Sequence, residues 1–102
     1  MGKLVRDRVP EIISAEGRTA RIRALGDQAY EAALLDKLVE EATELRDAEP
    51  SHRLSEAADV YEVLLVILAR HGLDATDLEA SATEKREARG SFTNRWWWEP
   101  DV

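Results

Sequence analysis

Three long stretches with helical periodicity, each closed by a helix-breaking residue, most constrain what this chain can fold into. The stretches cover residues 28–49, 51–71 and 75–89. Pro50 ends the first of them, and Gly72 and Gly90 follow the second and the third. A proline or a glycine just beyond a periodic segment is a typical helix stop signal. Three long helices with short connections between them predict an all-α fold, a helical bundle.

Residues at the other end of each stretch favour helix initiation. The expected N-caps are Asp27, Ser51 and Asp74. Side-chain oxygens of such residues accept hydrogen bonds from free backbone N–H groups. A shorter helix is expected from Pro10 to about Ala15, with Gly17 as its stop. The segment that starts at residue 91, SFTNRWWWEP, has no helical period and is expected to be irregular.

The composition limits the domain organisation and the class of protein. A chain of 102 residues fits one domain, residues 1–102, with a core so small that a second copy would help to stabilise it. The absence of cysteine excludes disulfides and thiolate metal sites. The longest apolar run, VLLVILA, is far shorter than the ~20 residues of a membrane span, and the N-terminus lacks the apolar region of a signal peptide. We therefore expect a cytoplasmic protein with no membrane contact.

The formal net charge of −7 bears on the expected ligands. Nonspecific binding to nucleic acid depends on neutralising phosphates with basic side chains, so no nucleic-acid partner is expected. An acidic domain is better suited to divalent cations, although acidity alone also serves solubility.

Acidic pairs three residues apart lie on or beside the apolar faces of the first two long helices. With Leu38 at zero and about 100° per residue, Glu41 falls at about 300°, on the edge of the apolar stripe, with Glu44 beside it. On the second helix Glu56 falls among the apolar residues, and Asp59 borders them. Like charges at this spacing repel, and burial raises the cost of holding both ionised. Because a divalent cation removes that cost, the pattern predicts an oxygen-only site that suits Mg²⁺.

One other interpretation of these acids stays open, and a second lacks a residue that it requires. Glutamate is a good helix former, and most glutamate-rich strings are solvated helix faces. A ferritin-like di-iron site also uses carboxylates in a bundle, but it needs a Glu-x-x-His motif on a helix, which neither His52 nor His71 completes.

The acidic motifs resemble those of a known superfamily. EEATE at residues 40–44 and EAAD at residues 56–59 resemble the E-E-x-x-E and E-x-x-D motifs of the MazG-like all-α nucleotide pyrophosphohydrolases. KLVRDRVPEII at residues 3–13 and EKREARGSF at residues 84–92 resemble a phosphoribosyl-ATP pyrophosphohydrolase-like subgroup. The resemblance implies a MazG-like bundle whose four-helix core is completed by dimerisation, in a homodimer or a homotetramer.

The resemblance also implies residue roles. The metal ligands would be Glu41, Glu44, Glu56 and Asp59. They would bind Mg²⁺, with Mn²⁺ as a substitute, and Glu40 or Glu44 would accept a proton from the attacking water. The residues that would contact substrate phosphates are Lys85, Arg89, Lys3 and Arg6.

The implied function is that of an enzyme, an Mg²⁺-dependent nucleotide pyrophosphohydrolase with a house-cleaning role. It would convert a small-molecule nucleotide, a nucleoside triphosphate, to the monophosphate and pyrophosphate. Hydrolysis of phosphoribosyl-ATP in histidine biosynthesis is a second interpretation within the same chemistry. A non-catalytic bundle that binds nucleotides or a protein partner is an alternative of another class.

Spacing alone leaves several of these roles open. Lys85 and Arg89, one helical turn apart, could equally be surface charges paired with neighbouring glutamates. Arg6 could reach a phosphate, or it could pair with Asp7 or with an acid of the bundle. The three tryptophans at residues 96–98 could stack on a base, but packing against the bundle or in a subunit contact is favoured.

Overall fold

A computed structural model describes residues 2–100, which form four α-helices, one 3₁₀ turn and no strand. The helices are α1, Val9–Ala15, α2, Asp27–Asp47, α3, Arg53–Ala69, and α4, Ala75–Arg89. The 3₁₀ turn, Pro50–His52, connects α2 to α3. The predicted all-α class is therefore confirmed.

Helices α2 and α3 pack against each other as an antiparallel pair. The end of α3 returns to the start of α2, where the Arg70 guanidinium carbon lies 5.0 Å from the centroid of the Tyr30 ring. A cation over an aromatic face at this distance is attractive. Leu34 on α2 and Val63 on α3 are the buried apolar residues between the two helices in the described chain. This small core fixes the two helices that carry the acidic motifs.

One of the three predicted N-caps is confirmed and two are wrong. Asp74 accepts a hydrogen bond from the Asp77 backbone N–H at 3.1 Å, and Asp77 accepts one from the Asp74 N–H at 2.8 Å. Asp27 is instead the first residue of α2, after an extended Gly26, where its charge favours the helix N-terminus. Ser51 lies inside the 3₁₀ turn, because Pro50 starts that turn and α3 begins only at Arg53.

The bundle of a single chain is open. Helix α4 does not pack along α2 or α3. The radius of gyration is 17.7 Å, against about 13 Å for a compact domain of this length. Val39 and Leu54 are largely exposed, and apolar residues around much of α3 are only half-buried. The four-helix core completed by dimerisation stays a prediction, and these exposed faces are the surfaces it would cover.

None of the helices between residues 2 and 100 has both the length and the apolar character that a membrane-spanning segment needs.

Candidate metal centre

Three carboxylates meet where α2 and α3 face each other. One oxygen from each of Glu41, Glu56 and Asp59 lies within 4.8 Å of the other two. We call this group the acidic centre. Glu41 is only 7% exposed, while Glu56 and Asp59 are half-buried. Helical spacing explains the arrangement, because Glu56 and Asp59 are three residues apart and share one face of α3. The prediction from periodicity that Glu41 and Glu56 turn towards the apolar interface is confirmed.

Two oxygen atoms of the acidic centre are buried without a partner. Oε2 of Glu41 and Oε2 of Glu56 accept no hydrogen bond from any described residue. A buried polar atom left unsatisfied costs about 1–3 kcal/mol, and more when it carries charge. The donor set consists of carboxylate oxygens alone, which hard divalent cations such as Mg²⁺ and Mn²⁺ prefer. The residues present therefore fit a divalent cation.

Glu44 lies beside the acidic centre but outside the group of three. Its side chain is exposed, and it meets Glu41 three residues earlier on α2. The hydrogen bond that protonated Glu44 can donate to the Glu41 carboxylate, followed by the charge of Glu41, raises the pKa of Glu44 above its ordinary value of 4.5. The structure thus places Glu44 as a neighbour of the centre that is in contact with solvent.

Lys37 is a half-buried cation at the acidic centre that the sequence interpretation missed. Its Nζ lies 3.2 Å from Glu41 Oε1 and 3.4 Å from Glu40 Oε1, and its side chain is 16% exposed. Burial alone would lower the pKa of Lys37, but the hydrogen bond with Glu41 and the charges of Glu40 and Glu41 outweigh burial and raise it. The signal was present in the sequence, since Lys37 stands three and four residues before the two glutamates.

Arg6 reaches the acidic centre from the N-terminal segment. Its Nη2 lies 2.6 Å from Asp59 Oδ1. Of the two pairings with an acid that the sequence left open for Arg6, the one with an acid of the bundle is observed, and a phosphate contact stays a prediction. Lys3 is exposed and forms no ion pair with any residue in the described range.

The basic pair on α4 is separate from the acidic centre within one chain. Lys85 and Arg89 are exposed and line a shallow hollow together with Arg86 and Phe92. Neither Lys85 nor Arg89 is in an ion pair within residues 2–100, so pairing with neighbouring glutamates is not observed. Because α4 does not pack along α2 or α3, one chain does not join these cations to the acids.

The three tryptophans do not pack on the bundle of their own chain. Trp96, Trp97 and Trp98 are 87%, 82% and 88% exposed, and Phe92 is 94% exposed. The sequence favoured packing of these rings on the bundle or in a subunit contact, and packing on their own bundle is wrong. The segment after α4 has no regular structure that would turn the rings inward. A subunit contact and base stacking both stay open.

Comparisons with known proteins agree with the resemblance in the motifs. Residues 4–86 match the family described as phosphoribosyl-ATP pyrophosphohydrolase. A protein of Mycolicibacterium smegmatis (strain ATCC 700084 / mc(2)155), described as an uncharacterized protein, is 59% identical over 49 residues, which are 48% of this chain and 50% of that protein. The chain therefore spans about half the length of this curated relative. No solved structure matches the chain. Since the family match covers most of the sequence and includes the whole acidic centre, the chain belongs to the phosphoribosyl-ATP pyrophosphohydrolase family.

Proposed function

We propose that this protein is a divalent-cation-dependent nucleotide pyrophosphohydrolase that cleaves a nucleoside triphosphate to the monophosphate and pyrophosphate. The observation that carries the proposal is the acidic centre, with three carboxylates within 4.8 Å and two orphaned buried oxygens. A protein that only binds a partner has no need to bury carboxylate oxygens without partners in its helix interface, where they destabilise the fold.

The acidic centre would hold the cation, Mg²⁺ or Mn²⁺, through Glu41, Glu56 and Asp59, with Glu44 as a further ligand close by. A bound divalent cation supplies charge that neutralises the substrate phosphates, and it acidifies a water molecule. Lys37 holds Glu41 by one carboxylate oxygen, Oε1, while Oε2 has no partner. The chain itself thus fixes the orientation of the central ligand.

The structure favours Glu44 over Glu40 as the group that accepts a proton from the attacking water. Glu40 Oε1 lies 3.4 Å from Lys37 Nζ, so this carboxylate is already engaged with a cation. Glu44 is exposed to solvent, and its pKa is raised by the hydrogen bond and the charge of Glu41. A base works best when its pKa lies near the working pH, so this environment suits proton transfer.

The substrate phosphates would be bound by basic side chains around the acidic centre. Arg6 is already at its edge, and Lys3 lies on the same N-terminal segment. Lys85 and Arg89 on α4 present two unpaired cations one turn apart, which suits the pyrophosphate group that leaves. Within one chain α4 stands away from α2 and α3, so we propose that a second copy in a homodimer or homotetramer completes the site.

The family match also favours a second substrate. Phosphoribosyl-ATP is hydrolysed at the same kind of phosphoric anhydride bond, and the family to which the chain belongs is named for this activity. The two substrates share the triphosphate and differ at the base, which carries an additional phosphoribosyl group in phosphoribosyl-ATP. We propose the nucleoside triphosphate as the substrate, with phosphoribosyl-ATP as the competing candidate.

A substrate panel tests the proposal. The full chain is incubated with ordinary and damaged nucleoside triphosphates and with phosphoribosyl-ATP, in Mg²⁺, in Mn²⁺ and in a chelator, and pyrophosphate release is measured. We expect release only with a divalent cation, and none from Glu56→Gln. Glu62→Gln, an exposed glutamate on the same helix that is outside the acidic centre, is the matched control and should be fully active. Failure to cleave any substrate, together with no cation binding, would support the non-catalytic alternative.

A further inference from the structure

The ion pair between Arg6 and Asp59 differs from the other ion pairs in residues 2–100. It joins residues 53 apart in the sequence, whereas each of the others joins residues at most four apart. It is also an ion pair between the segment before α1 and the acidic centre on α3. Arg6 therefore connects a segment without regular secondary structure to the candidate metal centre.

The two cations at the acidic centre differ in how easily they can leave it. Lys37 stands on the same helix as its partners, and its side chain is 16% exposed. The Arg6 side chain is 59% exposed and belongs to a segment without regular structure. An exposed ion pair is worth about 0–1 kcal/mol, so little opposes the departure of Arg6. Lys37 is therefore the counter-ion that is buried beside its partners, and Arg6 is the counter-ion that is open to solvent.

A divalent cation at the acidic centre competes with Arg6 for the charge of Asp59. Both are positive, and they would share one carboxylate at short range, where like charges repel strongly. Two orphaned oxygens belong to the other members of the centre, Glu41 and Glu56, so the centre has ligand atoms for the cation apart from Asp59. The arriving cation therefore weakens the hold of Asp59 on Arg6.

We propose that Arg6 exchanges partners: it neutralises Asp59 until a divalent cation binds, and it then turns to a phosphate of the nucleotide. This inference rests on the proposed function. It assigns Arg6 a place in the order of binding, with the cation first and the phosphate contact second. Arginine suits the second partner because its planar fork binds phosphate through two parallel hydrogen bonds. The N-terminal segment would then be fixed by Asp59 in one state and by the nucleotide in the other.

Removal of the Arg6 charge has opposite effects on the two ligands. With Mg²⁺ alone in calorimetric titration, Arg6→Gln should bind about 2–5-fold more tightly than the unmodified chain, because the competing cation is gone; fivefold corresponds to about 1 kcal/mol. With a non-hydrolysable triphosphate analogue and saturating Mg²⁺, Arg6→Gln should bind about tenfold more weakly. Arg8→Gln is the matched control, since Arg8 pairs with Glu11 on α1, and both affinities should stay unchanged.

The results separate this inference from the proposed function. Equal or weaker Mg²⁺ binding by Arg6→Gln would mean that Arg6 orients Asp59, which overturns the exchange and leaves the metal centre intact. Unchanged affinity for the analogue would also overturn the exchange. An unmodified chain that binds no cation, with or without the analogue, would overturn the proposed function and this inference together.

A second measurement follows the segment directly. The chain has no cysteine, so Gly2→Cys gives one site for a nitroxide label. In the unmodified background, Mg²⁺ alone should shift the electron paramagnetic resonance spectrum towards higher mobility, and the triphosphate analogue should reverse the shift. In the Arg6→Gln background the label should be mobile from the start. A spectrum that Mg²⁺ leaves unchanged would overturn the exchange.

Discussion

Glu56→Gln is the substitution that best separates a metal ligand from a structural acid. Gln keeps the shape and volume of the side chain and removes one negative charge from the acidic centre. Glu56 forms no ion pair with any described residue, and its Oε2 is buried without a partner. Its charge therefore has no compensation from within residues 2–100, and its removal strands no cation.

The magnitude follows from the geometry. At a separation of 4.8 Å or less, two full charges repel by about 3 kcal/mol in a protein-surface dielectric and by about 1 kcal/mol in water. Glu56 faces two other carboxylates, and the new amide N–H groups can donate to them. We expect Glu56→Gln to stabilise the cation-free chain by about 1–3 kcal/mol, which is roughly 4–24 °C in Tm, since each kcal/mol shifts Tm by about 4–8 °C at this size.

Thermal unfolding followed by circular dichroism, with chelator and then with millimolar Mg²⁺, provides the assay. The unmodified chain should gain about 2.7 kcal/mol at a cation concentration a hundred times Kd, because the ligand binds only the folded state. In chelator, Glu56→Gln should have a higher Tm than the unmodified chain. Mg²⁺ should then stabilise Glu56→Gln much less than it stabilises the unmodified chain. Its turnover should fall by orders of magnitude, since each 1.4 kcal/mol of lost transition-state stabilisation is tenfold in rate.

One combination of results would refute this reasoning. Removing one partner of a buried ion pair typically costs about 3–5 kcal/mol. If Glu56→Gln melted several degrees early in chelator while the folded fraction kept normal turnover, Glu56 would be a structural acid. The control Glu62→Gln, on the exposed side of the same helix, should change neither quantity.

Three further predictions concern the neighbours of the centre and the association of the chain. Lys37→Met should lower the free energy of unfolding by roughly 3 kcal/mol, because Glu41 loses its cation. Mg²⁺ should restore part of this stability in the same thermal scan. A loss of stability that Mg²⁺ leaves unchanged would contradict the prediction. The pKa of Glu44 is raised in the folded chain, so the contribution of this group to stability is present below pH 4.5 and is lost as the pH rises through the raised value. In chelator, the Tm of Glu44→Gln relative to that of the unmodified chain should therefore be higher at neutral pH than at about pH 4. The same difference in Tm at both pH values would be inconsistent with a raised pKa. Light scattering at micromolar concentration should give a homodimer or larger, because the apolar faces left open in one chain need cover, and a monomeric mass would exclude this.

The sequence predicted those parts of the fold that depend on local interactions. The three long helices follow from periodicity and from the residues that stop them, and the Asp74 cap follows from an Asp three residues later that completes its hydrogen bonds. The observed starts of α2 and α3 differ from the predicted ones because several neighbouring residues can each begin a helix. Gly26 displaced Asp27 as the cap of α2, and the turn that begins at Pro50 delayed α3.

Within the candidate site, too, the sequence predicts the positions that depend on local interactions and does not predict the contacts between distant segments. The positions of Glu41 and Glu56 were predictable because a helical period shows which residues turn towards the interface. Lys37 was predictable by the same rule, at three and four residues before its partners, and was overlooked. The pairing of Arg6 with Asp59 spans 53 residues, and no periodicity within a helix reports which distant segment reaches the centre.

The charge of the centre links the stability of this fold to its ligands. Residues 2–100 bury two apolar side chains, Leu34 and Val63, in the same helix interface that holds the acidic centre. Burying apolar side chains stabilises a domain by about 1.5–3 kcal/mol each, and a buried oxygen without a partner opposes this by about 1–3 kcal/mol or more. Lys37 and Arg6 compensate only part of the negative charge, since two carboxylate oxygens stay without a partner. A ligand that neutralises the centre must therefore also stabilise the packing of α2 on α3, so cation binding and folding of this helix pair should respond to the same substitutions.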